Sequence, residues 1–130
     1  MLRETVTHAG GHPVILVDSI TKIEKGDVGA IVISASHGGQ SSGEFALEVP
    51  LTAVFFNDAG IGKDEAGVAA LAMLEGKGVP ACAVSHESGR IGDAADMWQH
   101  GVVSRVNGAA TRHGACDGMT VQDAVRALVG

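Results

Sequence analysis

Five short apolar runs constrain this chain more than any other feature. They cover residues 14–17, 30–33, 51–56, 81–84 and 102–106. Each is too short for a helix, and most are continuously apolar rather than alternating. Strands with that pattern are buried on both faces, as in a parallel sheet. The segments between them suit helices. Residues 64–75 are rich in Ala, Leu and Met, with Asp64 and Glu65 at the positive end and Gly76, Gly78 and Pro80 as stop signals. Asp64 itself reads as a helix-start residue. Residues 93–100 and 120–128 are further helix candidates, the last behind a Thr120 cap, and 18–24 is a short one. Strands alternating with helices imply βαβ units. The expectation is one three-layer α/β domain, residues 1–130, with a mainly parallel sheet of about five strands flanked by helices. Strand order is not readable, and the N-terminal run can also pair antiparallel at an edge.

Composition narrows the function. A chain of 130 residues has no room for a two-domain dinucleotide enzyme or an eightfold barrel. There are 19 glycines, no tyrosine, and 3% aromatics, so a base-stacking platform has almost nothing to use. The net charge of −6 disfavours nucleic acid and anionic membranes as partners, while leaving room for a local site that takes a small anion. Cys82 lies in an apolar run and reads as core; with Cys116 it makes no CxxC pair. The N-terminus lacks a signal-peptide apolar region, and no stretch of about 20 apolar residues exists, which points to a soluble, cytoplasmic protein.

Three of the runs lead directly into dense polar and glycine clusters, at 34–43, 57–64 and 85–93. In an open α/β sheet the carboxyl ends of parallel strands form the ligand crevice, so the three clusters should meet at one edge. His37, Asp58, His86 and Asp93 are the candidates for proton transfer. Ser36, Gly38, Gly39, Asn57, Gly60, Gly62, Lys63, Ser88 and Arg90 are the candidates for holding a substrate. The glycines would let backbone amides approach an anion, and Lys63 and Arg90 would supply charge. Each also has a plainer reading: Asn57 and Asp58 can form Asx turns, and Lys63 and Arg90 can be solvated or paired with Asp64 and Asp93. The cofactor is left open. His37, Asp58, His86 and Asp93 are weak candidates for divalent-metal ligands, since no local ligand spacing links them.

Familiar motifs fail on inspection. Gly60-Ile61-Gly62-Lys63-Asp64 suggests a P-loop, but Asn57 and Asp64 stand where the motif needs Gly and Ser or Thr. There is no GxGxxG, GxSxG or HExxH. Ser34-Ala35-Ser36-His37 is similar to the start of the phosphoserine loop of phosphohexomutases, but Gly38-Gly39 replaces the Asn-Pro that should follow. His113, Cys116 and Asp117 fall in a polar segment that reads as a loop before the last helix, while His8 and His12 read as surface residues and His100 as a helix-end cation.

Two functions fit this reading. The first is an enzyme acting on a small anionic metabolite, carboxylate or phosphate, by hydrolase, lyase or isomerase chemistry. The second is a non-catalytic ligand-binding or regulatory module using the same crevice. A homo-oligomer is plausible in either case.

Overall fold

The computed structural model describes residues 1–130 except the side chain of Asp64, so the helix-start role expected of Asp64 lies outside the described residues. The chain folds into a single α/β domain around one six-stranded sheet. The strands are β1 (Arg3–Ala9), β2 (His12–Val17), β3 (Ile31–His37), β4 (Ala53–Asn57), β5 (Ala81–Val84) and β6 (Val103–Val106), and they lie in that order. Strands β2 to β5 are parallel neighbours, while β1 and β6 close the two edges antiparallel.

The steady strand order decides where the helices go. Successive crossovers of one hand, advancing in one direction, must all lie on the same face. Two 3₁₀ turns (Ile20–Lys22 and Lys25–Asp27) link β2 to β3, α1 (Gln40–Leu47) links β3 to β4, and α2 (Ala69–Glu75) links β4 to β5. Ile20, Ala46, Leu71 and Leu74 from these links pack together with Ile15, Val32, Val54 and Phe56 of the sheet. The other face is covered by α3 (Ala94–His100), α4 (Gly108–Arg112) and α5 (Val121–Val129). There Met97, Ala110, Val121 and Val125 pack on Leu16, Ile33, Phe55 and Val84. Covering both faces explains why the apolar runs are continuous.

This arrangement places a crevice. The chain leaves β4 toward the face of α2 but leaves β5 toward the face of α3. Adjacent strands whose connections part to opposite faces open a gap between their carboxyl ends, as at the switch point of other α/β sheets. Asn57 and Asp58 stand at the end of β4, and Ser85 and His86 at the end of β5.

Several elements differ from the sequence expectation. The sheet has a sixth strand, β1, joined to β2 by a Gly10-Gly11 turn with φ of +56° and +83°. Two positive φ values suit the tight hairpin. Strand β1 is mostly exposed, so no apolar run announces it. The helix expected over 64–75 is α only from Ala69; Lys63–Val68 is 3₁₀. Within that stretch Glu65 takes a positive φ that an α-helix does not admit, and Gly67 presses onto the preceding loop, where any Cβ would run into the Asp58 carbonyl. Helix α1 begins inside the expected polar cluster at 34–43 and runs on to Leu47. It has few apolar residues and docks on α2 through Gly43, which sits against Met73 and Ala70. The stretch 18–24 holds a 3₁₀ turn instead of an α-helix, and the loop at 111–118 begins with the end of α4.

Asn107 anchors that last region. Its Oδ1 accepts from the Ala81 and Ala110 amides, and its Nδ2 donates to the Leu71 and Val79 carbonyls. Helices α3 and α5 begin as expected, capped by Asp93 on the Asp96 amide and by Thr120 on the Asp123 amide. Cys82 is fully buried, which pushes its thiol up to about 12. His12 is half-buried, with Nδ1 on the Gly29 carbonyl at 2.9 Å. No helix among the described residues is long and apolar enough to cross a membrane.

Candidate functional site

Asp58 organises the crevice. It is the residue after β4 and only 4% exposed, yet it is an ionisable acid. Four donors converge on it. Its Oδ1 accepts from the Gly60 amide at 2.8 Å, the His86 amide at 3.1 Å and His86 Nδ1 at 3.2 Å. Its Oδ2 accepts from Ser104 Oγ at 2.6 Å. Burial pushes the Asp58 carboxyl up, but the hydrogen bonds from Ser104, Gly60 and His86 together outweigh it and hold the carboxyl below its ordinary value. The group is therefore an anchored carboxylate.

A carboxylate only accepts, so the His86 Nδ1 facing it carries the proton. That leaves Nε2 of the neutral ring as a base. The His86 side chain is 48% exposed, so the ring reaches solvent while its other edge is held.

The loop below is shaped to fit. Asn57 and Asp58 form consecutive Asx turns, each accepting from the amide two residues on, at 2.8 Å in both cases. Asn57 is fully buried, and its Nδ2 donates to the Gly89 carbonyl across the crevice at 2.8 Å. Ala59, Ile61 and Glu65 all adopt positive φ, a cluster of backbone strain beside Asp58. Gly60 lies under the His86 ring; a Cβ there would be 3.6 Å from Cε1.

The remaining candidates divide into groups. Gly38, Gly60 and Gly62 use their amides inside the fold, on the Asn57 carbonyl, the Asp58 carboxylate and the Gly60 carbonyl. Gly39 precedes α1 and lies under the His37 ring. Ser36 Oγ accepts from the Ile20 amide, and Ser88 Oγ ties the Ser85 carbonyl to the Val102 amide. Asp93 caps α3, and its backbone amide, not its carboxylate, meets Arg90. Lys63 is exposed, and no ion pair among the described residues includes it.

His37 is exposed at the end of β3, opposite Asn57, and so two strands from His86. Two strand spacings put the backbones about 10 Å apart. The two histidines flank Asn57 and Asp58 without touching. Among the described residues no three His, Cys, Asp or Glu side chains gather as metal ligands, so His37, Asp58, His86 and Asp93 do not form one set. Both Asp58 oxygens and the capping oxygen of Asp93 are already occupied.

Beside the dyad is an open pocket of about 320 Å³, lined by His86, Glu87, Arg90, Ile91 and Asp96 among others. His86 and Arg90 thus line the same space, together with the acidic Glu87 and Asp96. The Asp96 carboxylate fixes this wall by accepting from the Arg90 amide at 2.8 Å.

Ser104 was not visible as a site residue in the sequence. It sits in the apolar run of β6, and its partner is 46 residues away. No local pattern links the two. Set against known proteins, the chain matches no protein-family model, no curated protein and no solved structure, so the site is read from its own geometry.

Proposed function

We propose that the protein is an acid–base enzyme acting on a small anionic metabolite, carboxylate or phosphate, with hydrolase, lyase or isomerase chemistry. His86 is the proton-transfer group, Asp58 orients it, and Arg90 holds the anion. The observation that carries this is the contact between the buried Asp58 carboxylate and the exposed His86 ring. A buried, fully bonded acid behind a solvent-facing imidazole is an arrangement that prepares a base. Arg90 on the same pocket supports an anionic substrate, since a guanidinium grips carboxylate or phosphate with two parallel bonds.

The surroundings of this reading are proposals too. The exposed free Cys116 supports a reducing, cytoplasmic setting. The charge of −6 supports the reading that nucleic acid is not a partner. The exposed edge strand β1 leaves room for a homo-oligomer.

The test has two stages. Thermal unfolding is followed with phosphate, phosphate monoesters and small mono- and dicarboxylates, each with and without a divalent cation. A ligand at a hundredfold excess over its dissociation constant stabilises by about 2.7 kcal/mol. Each stabilising compound is then incubated with the protein and its products are measured. Turnover that disappears in His86→Ala, while the compound still stabilises that variant, is the expected result. A compound that binds through Arg90 but is recovered unchanged identifies a binding module instead.

A further inference from the structure

We infer that Ser104 is the positioning residue of the Asp58–His86 pair, aimed at the carboxylate by a β-bulge in the edge strand. The inference rests on the dyad reading above and adds a residue to it.

The register carries the argument. Ala83 of β5 pairs with Arg105 of β6, and the next residue, Val84, pairs with Val103. One step on β5 thus matches two on β6, and Ser104 is the extra residue. A bulge of this kind turns a side chain out of its regular direction, and such bulges are common beside active sites. Here the turned side chain reaches past the end of β5 to a residue at the end of β4. Ser104 Oγ has two acceptors in range, Asp58 Oδ2 at 2.6 Å and the Ala83 carbonyl at 3.4 Å. The hydroxyl has one proton, and the shorter contact to the carboxylate takes it.

The consequence for His86 follows from how the bonds are shared. Three of the four donors on Asp58 crowd onto Oδ1, and among the described residues Ser104 is the one donor to Oδ2. Ser104 therefore fixes the plane of the carboxylate. Without it, Oδ2 turns toward water or takes a donor from Oδ1. The bond to His86 Nδ1, at 3.2 Å the longest of the four, is the first to yield. The same edge strand also meets the 3₁₀ stretch that follows, where Arg105 bridges to Glu65 at 2.8 Å.

The experiment is ¹⁵N NMR of the histidine rings in the full chain, at a pH where His86 is neutral. It reads the ratio of the Nδ1–H and Nε2–H tautomers. The wild type is expected to hold mainly Nδ1–H. Ser104→Ala is expected to raise the ratio of Nε2–H to Nδ1–H about three- to tenfold, as befits loss of one hydrogen bond to a charged group that water partly replaces. Ser104→Thr and Ser104→Val differ only in the hydroxyl and both suit a strand. Thr should retain the wild-type ratio and Val should behave as Ala, which keeps the test valid even if Ser104→Ala folds poorly. An unchanged ratio in Ala and Val overturns the role of Ser104 and leaves the dyad standing. A wild type lacking the Nδ1–H form overturns the dyad itself.

Discussion

Asp58 grips His86 twice, through the ring Nδ1 at 3.2 Å and through the backbone amide at 3.1 Å. One carboxylate oxygen thus fixes both the imidazole and the end of the strand that carries it. Removing the carboxylate leaves the Gly60 and His86 amides without their acceptor and the Ser104 hydroxyl with only the distant Ala83 carbonyl. Asp58→Ala should lower stability by about 2–4 kcal/mol in urea unfolding, since unsatisfied donors cost more than the bonds were worth. Asp58→Asn keeps an acceptor for the amides, and the Ser104 hydroxyl can turn to accept from its NH₂. That variant should stay within about 1.5 kcal/mol of wild type. Equal stability of the Ala variant and wild type would show that the network contributes nothing.

Acid should weaken the fold through two carboxyls. For Asp27, burial pushes the carboxyl up, but the Arg3 guanidinium, bonded to both oxygens at 2.8 Å, and the Glu24 amide hold it below its ordinary value. Asp58 is held low in the same sense. A carboxyl with a depressed folded pKa contributes stability above its unfolded pKa of about 3.9 and loses it as pH falls through the folded value. Urea midpoints should therefore be level from about pH 7 to 5 and fall below that. Asp27→Asn should be less stable at pH 7 and show a shallower acid slope. An acid slope identical to that of wild type would remove Asp27 as a source.

Gly67 tests the close approach to the preceding loop. A Cβ there would strike the Asp58 carbonyl and lie 2.8 Å from Ile61 Cα. These are backbone atoms that cannot turn aside, so Gly67→Ala should cost about 2–3 kcal/mol and shift the amide resonances of residues 58–62. Gly26→Ala is the comparison. It has open space around it and no positive φ, so it should change stability by less than about 1 kcal/mol. A Gly67 variant no worse than the Gly26 variant would refute the packing account.

The sequence was most legible where burial repeats a pattern. The runs at 14–17 and 81–84 became central strands because covering both faces leaves a continuous apolar signal. The polar clusters after β4 and β5 marked the crevice because a chain that turns at a strand end needs glycine and Asx residues. Helix α1 and strand β1 were hidden for the opposite reason. Helix α1 packs through a glycine, and β1 buries almost nothing, so neither leaves an apolar period. Asp58 and His86 could be singled out one at a time, but their contact depends on β4 and β5 being neighbours, which the sequence order alone does not state. Ser104 was further out of reach, since a bulge is a mismatch between two strands and belongs to neither alone.

Arg90 and His86 line one pocket but are assigned different tasks, and kinetics can separate them. Arg90→Ala removes the charge that holds the anion. It should weaken binding of the stabilising anion by tenfold or more, in line with about 1.5–3 kcal/mol for a hydrogen bond to a charged group. If that interaction is made equally in ground and transition states, the loss appears in KM with kcat little changed. Arg90→Lys keeps the charge but not the paired geometry and should fall between. His86→Ala removes the proton-transfer group, so its loss should appear in kcat, by about 10²-fold or more, with binding largely kept. Calorimetry of the anion with each variant, followed by steady-state rates, gives both numbers. If Arg90→Ala lowers kcat as far as His86→Ala while binding is unchanged, the guanidinium acts on the transition state, and the division of labour proposed for this pocket is wrong.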